Sequence, residues 1–386
     1  MSVSLSSRRV LVTGANGFIG RNFCIRLREA FDAEVLPFAR GDDVNLLPSL
    51  VSQADVVMHF AGENRPEDVH SFNLVNVGLT EALVRAVAGE RAISGRKVPI
   101  VFTSSVQAEQ DNPYGRSKLA AEEILRSMVE ETAVPSIVFR LPGVFGKWSR
   151  PNYNSVVATF CYNVARGLPI EISDPGRVVR LAYIDDVVTT LLETALQLLS
   201  DEASGFSFAK VHPQYEICLA DLGKQIKQFD FCRNESLQTA RVGEGLTRAL
   251  YSTYVSFLPT ERFKYGVPSY EDSRGVFVEM LKTPDCGQFS YFTAHPGVTR
   301  GGHYHHTKTE KFLVIKGRAH FRFRNLLTKE LIELQTDGCH PQVVDTVPGW
   351  IHDITNVGDE EMVVMLWANE NFDRDTPDTI AGEIKI

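Results

Sequence analysis

Apolar runs and amphipathic stretches take turns along the first third of the chain. Val10–Thr13, Glu34–Phe38, Asp55–Phe60, Ile100–Thr103 and Ser136–Arg140 have the length of buried strands, and spans of helical period lie near Phe18–Phe31, Val75–Ala88 and Tyr114–Glu130. Strands that are apolar throughout, separated by helices, imply a parallel sheet covered on both faces, because each βαβ crossover lays a helix on the sheet. The pattern predicts a doubly wound α/β domain. Past about residue 266 it changes to short β-rich runs broken by Gly, Pro and Asp: Gly275–Leu281, Phe289–Ala294, Glu310–Ile315, Ala319–Arg324, Gln342–Val347 and Met362–Trp367. With no long helical pattern among them, these predict an all-β antiparallel barrel or sandwich. Leu258-Pro259-Thr260 is placed to end a helix and begin a linker. The expected organisation is a first domain over 1–250, a linker over 251–265 and a second domain over 266–386.

Composition narrows the function without naming it. At 386 residues, 44% of them hydrophobic and 23% charged, the chain has apolar mass for two or three cores. Forty basic against 48 acidic residues give a formal charge of -8, which removes any general electrostatic case for nucleic acid but leaves room for a small anion at a local site. The six cysteines are scattered without a C-x-x-C pair, so neither a disulfide framework nor a cysteine zinc site is expected. Met1–Arg9 does not read as a signal peptide, and no stretch approaches the ~20 apolar residues of a membrane span. A cytoplasmic location is expected.

Two stretches carry chemistry. In the first domain, Gly14-Ala15-Asn16-Gly17-Phe18-Ile19-Gly20 follows a strand and opens a helix, so its glycines let backbone and helix N-terminus approach a pyrophosphate. The alternative is a tight glycine turn without a ligand. A ribose-reading acid would stand about 20 positions on. Here the second strand ends in Ala39-Arg40, and Arg40 is placed either to face a 2′-phosphate, favouring NADPH, or to be an ordinary solvated arginine. Tyr114-Gly115-Arg116-Ser117-Lys118 sets a phenol and an ammonium one helical turn apart, where the lysine lowers the tyrosine pKa toward catalytic use. Upstream, Ser104-Ser105 closes a strand and offers a hydroxyl to polarise a carbonyl.

Taken in this order, these parts resemble the extended short-chain dehydrogenase/reductases that act on nucleotide sugars. The resemblance covers about residues 8–245 and is carried also by Asp55–Gly62, by Arg140-Leu141-Pro142-Gly143-Val144-Phe145-Gly146 and by Tyr183–Val187. It implies a Rossmann-type fold with a cofactor site at Gly14, Asn16, Gly17, Phe18, Ile19, Gly20, Arg40, Ala61, Tyr114 and Lys118. It implies catalysis by Ser105, with Ser104 the alternative, and by Tyr114 and Lys118. Dehydratases of the family carry an Asp-Glu pair after the catalytic hydroxyl; Val106-Gln107 stands here, which disfavours dehydration. Gly143 replaces an Asn that often contacts substrate. Arg180 is a candidate for the substrate diphosphate, with a salt-bridged surface arginine the alternative.

The second domain holds seven of the ten histidines, three of them in His303-Tyr304-His305-His306. In a strand, positions 303 and 305 share a face, with Tyr304 and His306 on the other. Glu310 and His352 can complete a set of three nitrogens and one carboxylate, suited to Zn, Fe, Ni or Mn. His306, on the outward phase, is expected at a surface or interface, and His320 and His340 are given no role. The spacing from Gly297 through His303, His305 and Glu310 to Gly317 resembles the first motif of the cupin family, and Gly349-x-x-His352 resembles its second. That implies a double-stranded β-helix binding a divalent ion, zinc by resemblance, or a metal-free cupin whose histidines bond sugar or one another.

A nucleotide-sugar reductase followed by a cupin resembles the CapF/WbjC-type proteins of capsule and O-antigen synthesis. That resemblance implies a homodimer whose cupin epimerises C3 of a UDP-2-acetamido-2,6-dideoxy-4-keto-hexose. Its reductase domain would reduce C4 with NADPH to UDP-2-acetamido-2,6-dideoxy-L-talose, a precursor of UDP-N-acetyl-L-fucosamine. The alternative is a single-activity reductase carrying a non-catalytic cupin for dimerisation or sensing.

Overall fold

A computed structural model describes residues 5, 7–65, 71–200, 204–233, 239–267, 269–272, 275–278, 287–370 and 375–384. The chain divides into two compact units, one of residues 1–145 with 180–216 and one of 146–179 with 217–386. Among the described residues no helix is long and apolar enough to cross a membrane.

Strand and helix alternate at the start, as the pattern predicts: β1 (Arg9–Thr13), α1 (Phe18–Ala30), β2 (Glu34–Phe38), α2 (Leu47–Gln53), β3 (Val56–His59), α3 (Leu79–Ser94), β4 (Ile100–Ser105), α4 (Pro113–Thr132) and β5 (Ser136–Leu141). Then come β6 (Gly143–Phe145), α5 (Val156–Val164), β7 (Val178–Tyr183), α6 (Ile184–Leu199), β8 (Phe206–Ala209) and β9 (Tyr215–Cys218). The main sheet runs β2-β1-β3-β4-β5-β8 with every pair parallel. Leu11, Val57, Phe102 and Val138 face a core built with Leu83 and Val87 of α3 and Leu125 and Met128 of α4. The alternate residues Val10, Val12, Val56, Met58 and Val101 are equally buried, on the side where α1 and α6 pack. Winding reverses between β1 and β3, which opens a crevice at the carboxyl ends of those strands, where doubly wound sheets hold their ligands. The helix expected over Val75–Ala88 starts instead as wide turns at Asn73–Gly78 and becomes regular only as α3.

The second unit adds α7 (Leu219–Phe231) and α8 (Gly245–Ser256), which pack with α5 and with each other. The span 251–265, expected as a linker, holds the end of α8, a 3₁₀ turn at Thr260–Arg262 and the start of β10 (Lys264–Gly266). The strands that follow are β11 (Ser269–Asp272), β12 (Gly275–Val278), β13 (Gln288–Ala294), β14 (Thr299–Tyr304), β15 (Glu310–Lys316), β16 (Arg318–Asn325) and β17 (Leu331–Asp337). They end with β18 (Gln342–Asp345), β19 (Trp350–Asn356), β20 (Met362–Ala368) and β21 (Ile380–Ala381). Two five-stranded antiparallel sheets result, β10-β18-β15-β20-β13 and β17-β16-β19-β14-β21, so the second part is all-β. Period-two burial in β16 turns Ala319, Phe321 and Phe323 inward. Phe312 meets Phe321 with ring centroids 5.9 Å apart, and Phe263 meets Trp350 at 5.2 Å. The Leu281 end of one expected strand, and Cys286, lie outside the described residues.

Candidate functional site

In the first unit the loop from β1 to α1 lies over the crevice. Gly14 has φ +71, and a Cβ on it would sit 2.7 Å from the backbone nitrogen of Ala61, while one on Gly20 would come within 2.9 Å of the Ala15 Cα. Any side chain at 14 would drive the loop off β3, and any at 20 would drive α1 off the loop. The helix N-terminus at Gly17 has no side-chain cap and no acid in its first turn, so its backbone N–H groups and dipole face the crevice uncompensated. Gly14, Asn16, Gly17, Phe18, Ile19 and Gly20 are thus together at one place, with Ala61 beside them. This loop fits a pyrophosphate.

Behind the loop, α4 starts where the sequence says a helix should. Pro113 occupies its first turn, and the Asn112 side chain accepts from the Gly115 N–H at 2.8 Å. Glycine is required at 115, because a Cβ would be 2.5 Å from the Gln110 carbonyl oxygen. One helical turn separates Tyr114, half-buried with its ring 5.7 Å from that of Phe72, from Lys118, which is buried. The Lys118 ammonium donates to the Thr103 carbonyl at 3.0 Å, lies 4.7 Å from the Phe102 ring centroid and would touch any Cβ on Gly62. Burial lowers its pKa to about 8, against the raising effect of Glu122. Ser105 ends β4 and accepts from the Gln107 N–H at 3.1 Å. Ser104 is committed elsewhere: its hydroxyl donates to buried Glu122, which also holds Arg140 at 2.6 Å. His59, bonded to Thr13 at 2.6 Å and Thr80 at 2.9 Å, is kept neutral by burial and then by Lys118, with its pKa down at about 3.

Arg40 has an exposed side chain and forms an ion pair with Glu63, a buried acid that the β2–turn spacing did not disclose. Arg180 is paired with Glu216 at 2.9 Å, both half exposed. Gly143 is held small by its neighbour strand, since a Cβ there would lie 3.2 Å from the Arg180 carbonyl oxygen and from the Leu181 side chain. Asn76, also missed from sequence, is buried in the wide turns. It accepts from the Glu63 N–H at 2.7 Å and donates to the Ser117 hydroxyl at 2.9 Å.

In the second unit His303, His305, Glu310 and His352 converge, with one ligand atom from each all within 4.8 Å of one another. Glycines at 301 and 302, both at positive φ, make a β-bulge that sets His303 opposite His352 in the β14–β19 register. Glu310 is the first residue of β15. The convergence of 303 and 305 does not come from strand alternation, because β14 ends at Tyr304 and His305 stands in the loop beyond it. For the same reason His306 is buried rather than on an outward face. Two carboxylates hold this region. Glu310 Oε2 lies 3.2 Å from His305 Nε2, and Glu310 pairs with Lys308 at 2.9 Å. Asp378 accepts from the backbone N–H groups of His306, Thr307 and Lys308.

Electrostatics at the cluster favour deprotonated ligands. Burial lowers the His303 pKa to about 4, with His352 and His305 adding to it, and burial lowers His352 as well. Burial alone would raise Glu310, but the imidazoles of His305 and His352 take it well below its usual range. Burial would raise Asp378 likewise, and His306, His305 and the loop N–H groups hold it low. His352 lies 3.6 Å from Glu310, and both ring nitrogens of this buried side chain lack a hydrogen-bond partner. An unsatisfied, neutral, buried imidazole facing two others and a carboxylate fits a divalent ion.

Residues 10–204 match the NAD dependent epimerase/dehydratase family and residues 270–380 match the polysaccharide biosynthesis C-terminal domain. The chain belongs to the NAD dependent epimerase/dehydratase family. Within it, this chain is a CapF-type member with both parts in the same order. It is 57% identical, over 97% of its length and 99% of the relative's, to the UDP-2-acetamido-2,6-beta-L-arabino-hexul-4-ose reductase of Pseudomonas aeruginosa PA103. It resembles the crystal structure of the capsular polysaccharide assembling protein CapF of Staphylococcus aureus at 36% identity and TM-score 0.62, covering 97% of this chain and 99% of that one. WbmF of Bordetella bronchiseptica, solved with NAD+ and UDP, shares the fold at 20% identity and TM-score 0.52, covering 58% of this family member and 78% of that chain.

Proposed function

We propose that this protein is an NADPH-dependent UDP-4-keto-sugar reductase of capsule or O-antigen synthesis that also epimerises its substrate. The observation that carries the reductase is the buried Lys118 against β4, one turn from Tyr114 and beside the strand that ends in Ser105. NADPH supplies the hydride. Tyr114 donates a proton to the C4 oxygen as the ketone is reduced, and Ser105 holds that oxygen, Ser104 being occupied by Glu122. Lys118 favours the tyrosine's ionised form between turnovers. The glycine loop and α1 N-terminus carry the pyrophosphate, and Arg40 is assigned to the 2′-phosphate. Arg180 is assigned to the UDP diphosphate, for which it must leave Glu216.

The second unit is proposed to be a cupin in which His303, His305, Glu310 and His352 hold one divalent ion, zinc by family resemblance. When bound, the ion supplies positive charge for the oxygen of a 4-keto group, which makes loss of the neighbouring C3 proton easier. The four side chains hold a site where that group can be presented, with Phe312 and Phe323 each packed 6.2 Å from the His352 ring. The proposed sequence is C3 epimerisation of a UDP-2-acetamido-2,6-dideoxy-4-keto-hexose followed by C4 reduction to UDP-2-acetamido-2,6-dideoxy-L-talose, consumed on the way to UDP-N-acetyl-L-fucosamine. A homodimer is proposed on the same resemblance, to be checked by sedimentation. NMR of the product from purified protein, NADPH and the 4-keto substrate tests the whole assignment. An L-talo product is expected; a product with C3 unchanged returns the cupin to a non-catalytic role.

A further inference from the structure

We propose that Asp378 is the positioning residue that sets the affinity of the four-ligand cluster for its ion, by building the loop that carries His305. Asp378 lies far from the cluster in sequence, yet its carboxylate collects four donors from one loop. It accepts from the N–H of His306 at 2.9 and 3.1 Å to its two oxygens, from Thr307 N–H at 2.6 Å, from Lys308 N–H at 2.8 Å and from the Thr307 hydroxyl at 3.0 Å. Its own backbone carbonyl faces His305 Nδ1 within hydrogen-bond distance. A carbonyl oxygen only accepts, so Nδ1 carries the proton and Nε2 keeps its lone pair. Nε2 is the nitrogen that points toward Glu310 Oε2, 3.2 Å away. One residue therefore fixes both the path of the loop and the tautomer of its ligand.

The strap is anchored on its far side too. Just beyond Asp378, β21 pairs with β14 at Ala381 opposite His303 and Ile380 opposite Tyr304, and the Gly382 N–H donates to the Gly302 carbonyl at 2.8 Å. The segment 378–382 thus touches the backbone on both sides of His303 and His305. Loops with three successive N–H groups aimed inward need an anion or a turn of helix to satisfy them, and here the Asp378 carboxylate is that anion. Without it the three N–H groups would turn to water and His305 would lose its fixed orientation. Groups that orient ligands in this way typically change metal affinity about ten- to a hundredfold.

This inference rests on the reading that the cluster holds a divalent ion, and the test separates the two. Full-length protein, stripped of metal, is titrated with Co²⁺ against a competing chelator while the visible d–d spectrum is followed. Asp378→Ala is expected to bind Co²⁺ about ten- to a hundredfold more weakly, with an altered spectrum, in a metal-free protein that circular dichroism shows to be folded. Asp378→Asn, which keeps an acceptor oxygen but not the charge, should show a smaller loss and settles the matter if the alanine variant does not fold. Parent-like affinity and spectrum in a folded variant would overturn the role of Asp378 and leave the metal site standing. A lower melting temperature with unchanged spectrum would likewise make Asp378 structural only. A parent protein that binds no Co²⁺ would overturn the metal reading itself.

Discussion

The two sites of this chain are assembled in opposite ways. Tyr114 and Lys118 stand one turn apart on α4, and Gly14, Gly17 and Gly20 lie along the single passage from β1 into α1, so the geometry of the proposed nucleotide site is largely set by helical period and one strand–turn–helix passage. The proposed metal-ligand set draws on β14, the loop after it, β15 and β19, and depends on a bulge at Gly301 and on the Asp378 carboxylate. A locally built site tolerates changes elsewhere in the sheet. A site gathered from distant strands makes its chemistry a property of the whole unit, and a shared ion would link its ligands to folding.

The largest expected effect tests whether the two sites are independent. With the 4-keto substrate in D₂O and no NADPH, deuterium should enter C3, and chelation or His303→Ala with Glu310→Gln should abolish that exchange while NADPH binding persists. Circular dichroism must first show the variant folded, and undiminished exchange in a folded, metal-free protein would end the epimerase assignment. Next in size, Tyr114→Phe should lower NADPH oxidation by about 10²–10⁴ with cofactor affinity intact, as loss of a positioned general acid does; parental turnover would refute the role.

A third experiment probes the buried lysine through stability. Its folded pKa of about 8 lies below the ordinary 10.5, so between those values the unfolded chain binds more protons and the parent should gain stability as pH rises. The ammonium's burial penalty is present in full below about pH 8 and relieved above it, a change on the order of 3 kcal/mol across the window. Lys118→Met should lack that upward slope in urea titrations at pH 8 and above; matching slopes would show the penalty to be absent. Smallest is cofactor choice. Arg40→Ala should remove a preference for NADPH of about ten- to a hundredfold, and Glu63→Gln, by freeing Arg40, should widen it. Equal use of NADH and NADPH by the parent would dispose of the 2′-phosphate assignment.

How much of this was legible in sequence follows from the same contrast. The central strands of the main sheet were readable because both faces are buried, so Val10–Val12 and Ile100–Phe102 are apolar throughout, whereas the edge strand β8, with two exposed residues, was not read. In the second unit β17 alternates exposed and half-buried residues, and β14 and β19 carry Gly, His and Asp where a strand pattern wants apolar residues, so none of them was predicted. The convergence of His303, His305, Glu310 and His352 was legible from spacing, although alternation was the wrong physical reason for His303 and His305. Glu63 and Asp378 left no local signal. Each is an acid whose partner lies 23 to 73 positions away, and only the folded chain puts them together.

The order in which the chain visits its two units has a consequence for biosynthesis. Residues 146–179 belong to the second unit but are made before 180–216, which complete the first. The parallel sheet cannot add its edge strand β8 until a stretch that it does not own has left the ribosome. That stretch, with the apolar face of α5, must then wait for α7 and α8 to be translated. At about 5–20 residues per second, this leaves an exposed helix for several seconds. Nascent chains arrested near residue 216 should therefore recruit chaperones more strongly than chains arrested past residue 256.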